Sequence, residues 1–112
     1  MEGSEKRREP RVKAEALPAR YREFSILLSH GQEAVVRTSD ASLSGFGFYS
    51  DLPCEHFVVG TRLVLYPLGD EHPLFGIIVH CQATERGSRV GVHLQALGGY
   101  HTYAEQMAAY FG

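Results

Sequence analysis

From Glu23 onward, apolar and polar residues alternate in short runs divided by turn formers, the period of two expected of half-buried strands. Phe24, Ile26 and Leu28 share one face of a first strand, and His30-Gly31-Gln32 turns into a second, Glu33 to Thr38. Asp40 to Gly45 breaks the rhythm as a short turn. Phe46 and Phe48 then share a face of a third strand, which runs to Ser50 and ends at Asp51-Leu52-Pro53. Val58-Val59-Gly60 leads to a fourth strand, Thr61 to Tyr66, and Pro67, Gly69, Asp70 and Pro73 mark a hairpin connection. Phe75, Ile77, Val79 and Cys81 line one face of a fifth strand. After Arg86-Gly87-Ser88, Val90, Val92, Leu94 and Ala96 alternate with Arg89, Gly91, His93 and Gln95 in a sixth.

The period then changes. Tyr100, Tyr103, Met107, Tyr110 and Phe111 recur at helical spacings of three and four, and Thr102 with Glu105 fits a capping box, so a helix is expected from about Tyr103 to Tyr110. Six antiparallel strands hide their edges by closing into a barrel. The predicted fold is therefore all-β with one helix: a six-stranded antiparallel barrel at 21–112 with a C-terminal helix. Residues 1–20 hold little apolar material and are interrupted by Pro10 and Pro18, which reads as a flexible basic arm.

Composition sharpens this picture. A chain of 112 residues, 44% hydrophobic, makes one domain with one modest core. The net charge of −2 argues against nonspecific coating of a nucleic acid polymer. Charge is uneven, however: Lys6, Arg7, Arg8, Arg11, Lys13, Arg20 and Arg22 supply seven of the eleven basic residues. A basic arm on a mildly acidic body points to local anion capture. No apolar run is long enough to insert in a membrane and no signal core is seen, so the expected location is cytoplasmic. Cys54 and Cys81 are expected as reduced thiols, with a Cys54–Cys81 bridge left open. Cys54, His56, His80 and Cys81 lack structural-zinc spacing, so no metal site is expected.

Two constellations carry chemistry. Arg7-x-x-x-Arg11, with Arg8 beside it, presents planar forks that match phosphate oxygens or the O6/N7 edge of guanine. Pro10 holds Glu9 extended, so the arginines do not ride a helix turn. In Asp40-x-Ser42-x-x-Gly45, the carboxylate accepts from guanine N1–H and N2–H. Ser42 donates to a phosphate or fixes the turn, and Gly45 allows a positive φ or a close backbone approach. No nucleophile–base spacing is present, which makes an enzyme the least favoured class. Alone, each motif reads as a solvated tail or an ordinary turn.

Together, these residues resemble the PilZ domain family, receptors for cyclic di-GMP. The likeness continues through Gly60 before the fourth strand, Gly76 to Val79 in the fifth, Val90-Gly91-Val92 in the sixth, and the closing helix. The resemblance implies a six-stranded barrel that binds cyclic di-GMP without a cofactor. It assigns Arg7, Arg11, Asp40, Ser42 and Gly45 to the ligand, with Arg8 as a helper; Lys6, just before the first motif, and His80, where the family often has a large aromatic, are flanking candidates. Ordering of the arm on binding is the expected signal, passed to an unidentified effector protein; the resemblance implies that the process controlled is motility, biofilm or exopolysaccharide. The alternatives are a protein-interaction adaptor on the same barrel without useful nucleotide affinity, and a small barrel that binds single-stranded nucleic acid.

Overall fold

A computed structural model describes residues 10–68 and 72–111. Seven strands form one antiparallel sheet: β1 (Val12–Lys13), β2 (Glu23–Leu28), β3 (Glu33–Ala41), β4 (Gly45–Ser50), β5 (Arg62–Pro67), β6 (Leu74–Thr84) and β7 (Gly87–Leu94). The pairing order β3-β2-β5-β6-β7-β4 returns to β3, so six strands close a barrel and β1 adds to the end of β3. The helix α1 (Tyr100–Phe111) closes the unit. The all-β barrel with one C-terminal helix expected from the alternation is therefore the observed fold.

Its interior is aromatic. Phe24 and Phe46 meet edge to face at 4.8 Å, Phe46 lies 5.5 Å from Tyr103, and Tyr103 meets Tyr21 at 5.2 Å. All four rings are buried. Rings of this size supply much of the apolar area that holds a small barrel together.

The segment from Val12 to Tyr21 is built into the fold. Val12 and Lys13 pair with Ala41 and Asp40, and Leu17 is buried. The Arg22 guanidinium donates to the carbonyls of Leu17 and Glu15 at 2.8 and 3.1 Å. The expected loose arm thus meets the barrel before residue 20, while Lys6, Arg7 and Arg8 lie outside the described residues.

Four details differ from the sequence reading. First, β3 continues through Asp40 and Ala41, because β1 pairs with this end on one side and β4 on the other. The turn is therefore confined to 42–44. Second, α1 begins at Tyr100, so Thr102 is in the first turn and is not the cap. The chain enters the helix through Gly98, at φ 55°, and Gly99, whose N–H donates to the Pro73 carbonyl. Third, Leu74, Gly76 and Ile78 are the inward residues of β6, whereas Val79 is exposed. A register shift between Ile78 and His80 then reverses the alternation, leaving Cys81 opposite the buried Val90.

Fourth, the cysteines are not reduced: Cys54 and Cys81 form a disulfide, with Cα atoms 5.9 Å apart. It ties the short 3-10 turn Cys54–His56 to β6 just beyond the bulge. Closing a loop with a sequence separation of 27 restricts the unfolded chain by about 3–4 kcal/mol. Urea unfolding with and without a thiol reductant should show a loss of this size. An unchanged midpoint would show that the bond contributes nothing.

Candidate functional site

Two β-bulges build the site. On β3, the register shifts between Thr38 and Asp40, with Thr38 opposite Phe48 and Asp40 opposite Gly47. Thr38 and Ala41 point inward, so the extra residue leaves Asp40 on the outer wall. On β6, the shift after Ile78 sets His80 opposite Gly91 in the same way. Bulges re-aim side chains at such points.

Register then completes a row across four strands: Asp40 on β3, Gly47 on β4, Gly91 on β7 and His80 on β6. The two central glycines make a shallow trough into which Asp40 and His80 settle. A Cβ on Gly47 would stand 2.5 Å from Asp40 Oδ1, and one on Gly91 would stand 2.2 Å from His80 Nε2. The Asp40 carboxylate and the His80 ring thus lie over the glycine floor. A cavity of about 270 Å³ opens here, bounded by Arg11, Asp40, His80 and Arg89.

Arg11 and Asp40, 29 residues apart, meet through Nε–Oδ2 at 2.8 Å and Nη2–Oδ1 at 3.4 Å. Arg11 Nη1 also lies 3.5 Å from Ser42 Oγ. Ser42 is buried behind the guanidinium, and its N–H donates to the Gly45 carbonyl at 2.9 Å. Two helix tyrosines brace the same turn: Tyr103 Oη donates to the Ser42 carbonyl, and Tyr100 Oη to that of Leu43 at 2.9 Å. Gly45 has no positive φ. A Cβ there would stand 3.3 Å from the Val92 carbonyl oxygen, a tight contact, and 3.7 Å from Arg11 Nη1, an ordinary one.

The structure thus brings together Arg11, Asp40, Ser42, Gly45 and His80 from the sequence-derived set, while Lys6, Arg7 and Arg8 lie outside the described residues. It adds residues the sequence reading missed. Arg89 Nη2 is 3.3 Å from Asp40 Oδ1, so the carboxylate sits between two guanidinium groups. Gly47 and Gly91 form the floor. Nothing local in the sequence marks Arg89, an outward strand residue 49 positions away. The alternation that set Gly91 beside Arg89 and Gly47 beside Phe46 was visible, but their juxtaposition was not.

Partial burial of Asp40 works to raise its pKa. Hydrogen bonds from Arg11 and Ser39, with the charges of Arg11 and Arg89, outweigh burial and leave it below the ordinary aspartate value. A depressed carboxylate contributes stability that is present above its unfolded pKa and is lost as pH falls through the folded one. The effect belongs below about pH 4. The stability gap between the parent and Asp40→Asn should therefore shrink in that range, as measured by unfolding at pH 2–6. A constant gap would remove the linkage.

Among the described residues, no group of three or more His, Cys, Asp or Glu side chains is placed to hold a metal ion, and no helix is long and apolar enough to cross a membrane.

The fold has a counterpart among solved structures. The K. pneumonia MrkH–c-di-GMP complex matches with a TM-score of 0.61 and 12% identity, over 94% of this chain and 50% of the other. The fold is PilZ-like. This chain spans about half the length of that neighbour. No protein-family model matches the sequence, and no curated protein does.

Proposed function

We propose that the chain is a receptor for cyclic di-GMP that performs no chemistry on its ligand. The observation that carries this reading is the Arg11–Asp40–Arg89 cluster standing over the Gly47–Gly91 trough. The glycines let the Asp40 carboxylate and the His80 ring lie low on the wall; the carboxylate accepts from guanine N1–H and N2–H, and the ring offers the base a flat neighbour. Guanine takes the place of Arg11 at Asp40, and Arg89 keeps the carboxylate paired. The released Arg11 fork then turns to the O6/N7 edge and to a phosphate oxygen. Because one charge-assisted contact replaces another, Asp40 contributes selectivity for guanine more than affinity.

Arg7, with Arg8 and Lys6, is assigned to the phosphates. Ser42 and Gly45 fix the turn behind Arg11, and His80 flanks the base. Ordering of the segment ahead of Val12 presents a new surface to an effector protein in the cytoplasm. The process controlled is motility, biofilm formation or exopolysaccharide output. That the neighbouring fold was solved as a c-di-GMP complex supports the choice of ligand.

Calorimetric titration of the full chain tests the reading. Saturable heat is expected with cyclic di-GMP at micromolar concentrations, without competition from a short single-stranded oligonucleotide. Absence of heat would return the chain to the adaptor reading, and strong competition would favour a nucleic-acid barrel.

A further inference from the structure

Two residues further along β4 and β7, about 6–7 Å away, and three along the bulged β3, the outer wall carries a second row. Arg37 on β3 faces Tyr49 on β4, which faces Arg89 on β7. The inward residues beside them, Thr38, Phe48 and Val90, are buried, so this row rests on a packed wall. Tyr49 is 51% exposed, a large ring left in solvent between two arginines. Among the described residues no carboxylate is ion-paired with Arg37.

Cavity size points the same way. The spaces lined by Arg11 and Asp40 measure about 270 and 160 Å³. A groove of about 710 Å³ lies beside them, bounded by Arg37, Tyr49, Asp51, Glu85 and Arg86. Tyr49 lines both this groove and the smaller of the two spaces at Asp40. A cyclic dinucleotide has two bases and two phosphates. The spaces at Asp40 are small beside such a ligand, and the larger groove adjoins them at Tyr49.

We propose that this groove is the subsite for the second guanine, which stacks on the Tyr49 ring while Arg37 takes the adjoining phosphate. This rests on the reading of the chain as a cyclic di-GMP receptor. Stacking on an aromatic ring tolerates loss of the phenol hydroxyl but not loss of the ring. Arg37 contributes a charge-assisted contact. Asp51 and Glu85, which also line the groove, offer acceptors to guanine's donors.

The test is calorimetric titration with cyclic di-GMP of the parent, Tyr49→Phe, Tyr49→Ser and Arg37→Ala, with urea midpoints confirming that each variant folds. Tyr49→Ser should weaken binding roughly ten- to hundredfold. Tyr49→Phe should stay within about twofold of the parent, and Arg37→Ala should lose about tenfold. A binding parent with Tyr49→Ser and Arg37→Ala at parental affinity overturns the subsite alone. A parent that does not bind overturns the receptor reading, and the subsite with it.

Discussion

Arg11→Ala should reduce affinity for cyclic di-GMP by more than about hundredfold, because the fork serves both a guanine edge and a phosphate at roughly 1.5–3 kcal/mol for each charge-assisted contact. The fold should hardly notice. Arg11 is 45% exposed, and its pair with Asp40 lies at the surface, where ion pairs contribute about 0–1 kcal/mol. Arg11→Lys should fail to restore binding, since an ammonium keeps the charge but not the two parallel donors. Paired calorimetry and thermal unfolding check both halves. A large loss of stability in Arg11→Ala, or full affinity in Arg11→Lys, would show that the residue serves the scaffold or acts as a point charge only.

Phe46→Ala should cost about 3–5 kcal/mol of folding stability. That is a large share of the roughly 5–15 kcal/mol available to a small domain. Phe46 is buried against Phe24 and Tyr103, which joins the barrel interior to the helix. Truncation leaves a void between elements that strand pairing and the helix hold apart, so collapse is incomplete. Tyr49, three residues on, faces outward, and Tyr49→Ala should change stability by no more than about 0.5 kcal/mol. Urea denaturation of the two variants gives the contrast directly. Equal losses would mean that the assigned inward and outward faces of β4 are wrong.

Alternation made the six barrel strands legible because each buries one face, and that pattern is local. The features that build the site are not local. Asp40 looked like a turn residue because its strand partners, Lys13 and Gly47, are decided by closure of the barrel. The bulges at Ser39 and Val79 leave no local mark, yet they turn Asp40 and His80 outward and Cys81 inward toward Cys54. Arg89 was hidden for the same reason: its meaning comes from Asp40, which another strand supplies. The capping-box reading at Thr102 failed because docking of Gly99 on Pro73 started the helix earlier than local preference indicated.

The most direct measurement is a two-dimensional amide NMR titration of the full chain with cyclic di-GMP. The largest shifts are expected at Asp40, Gly47, Arg89 and Gly91, extending to Tyr49, with the exposed face of α1 unmoved. Saturating shifts centred on α1 or on the Val58-Val59 turn, with the Gly47 and Gly91 amides unchanged, would contradict the location of the site.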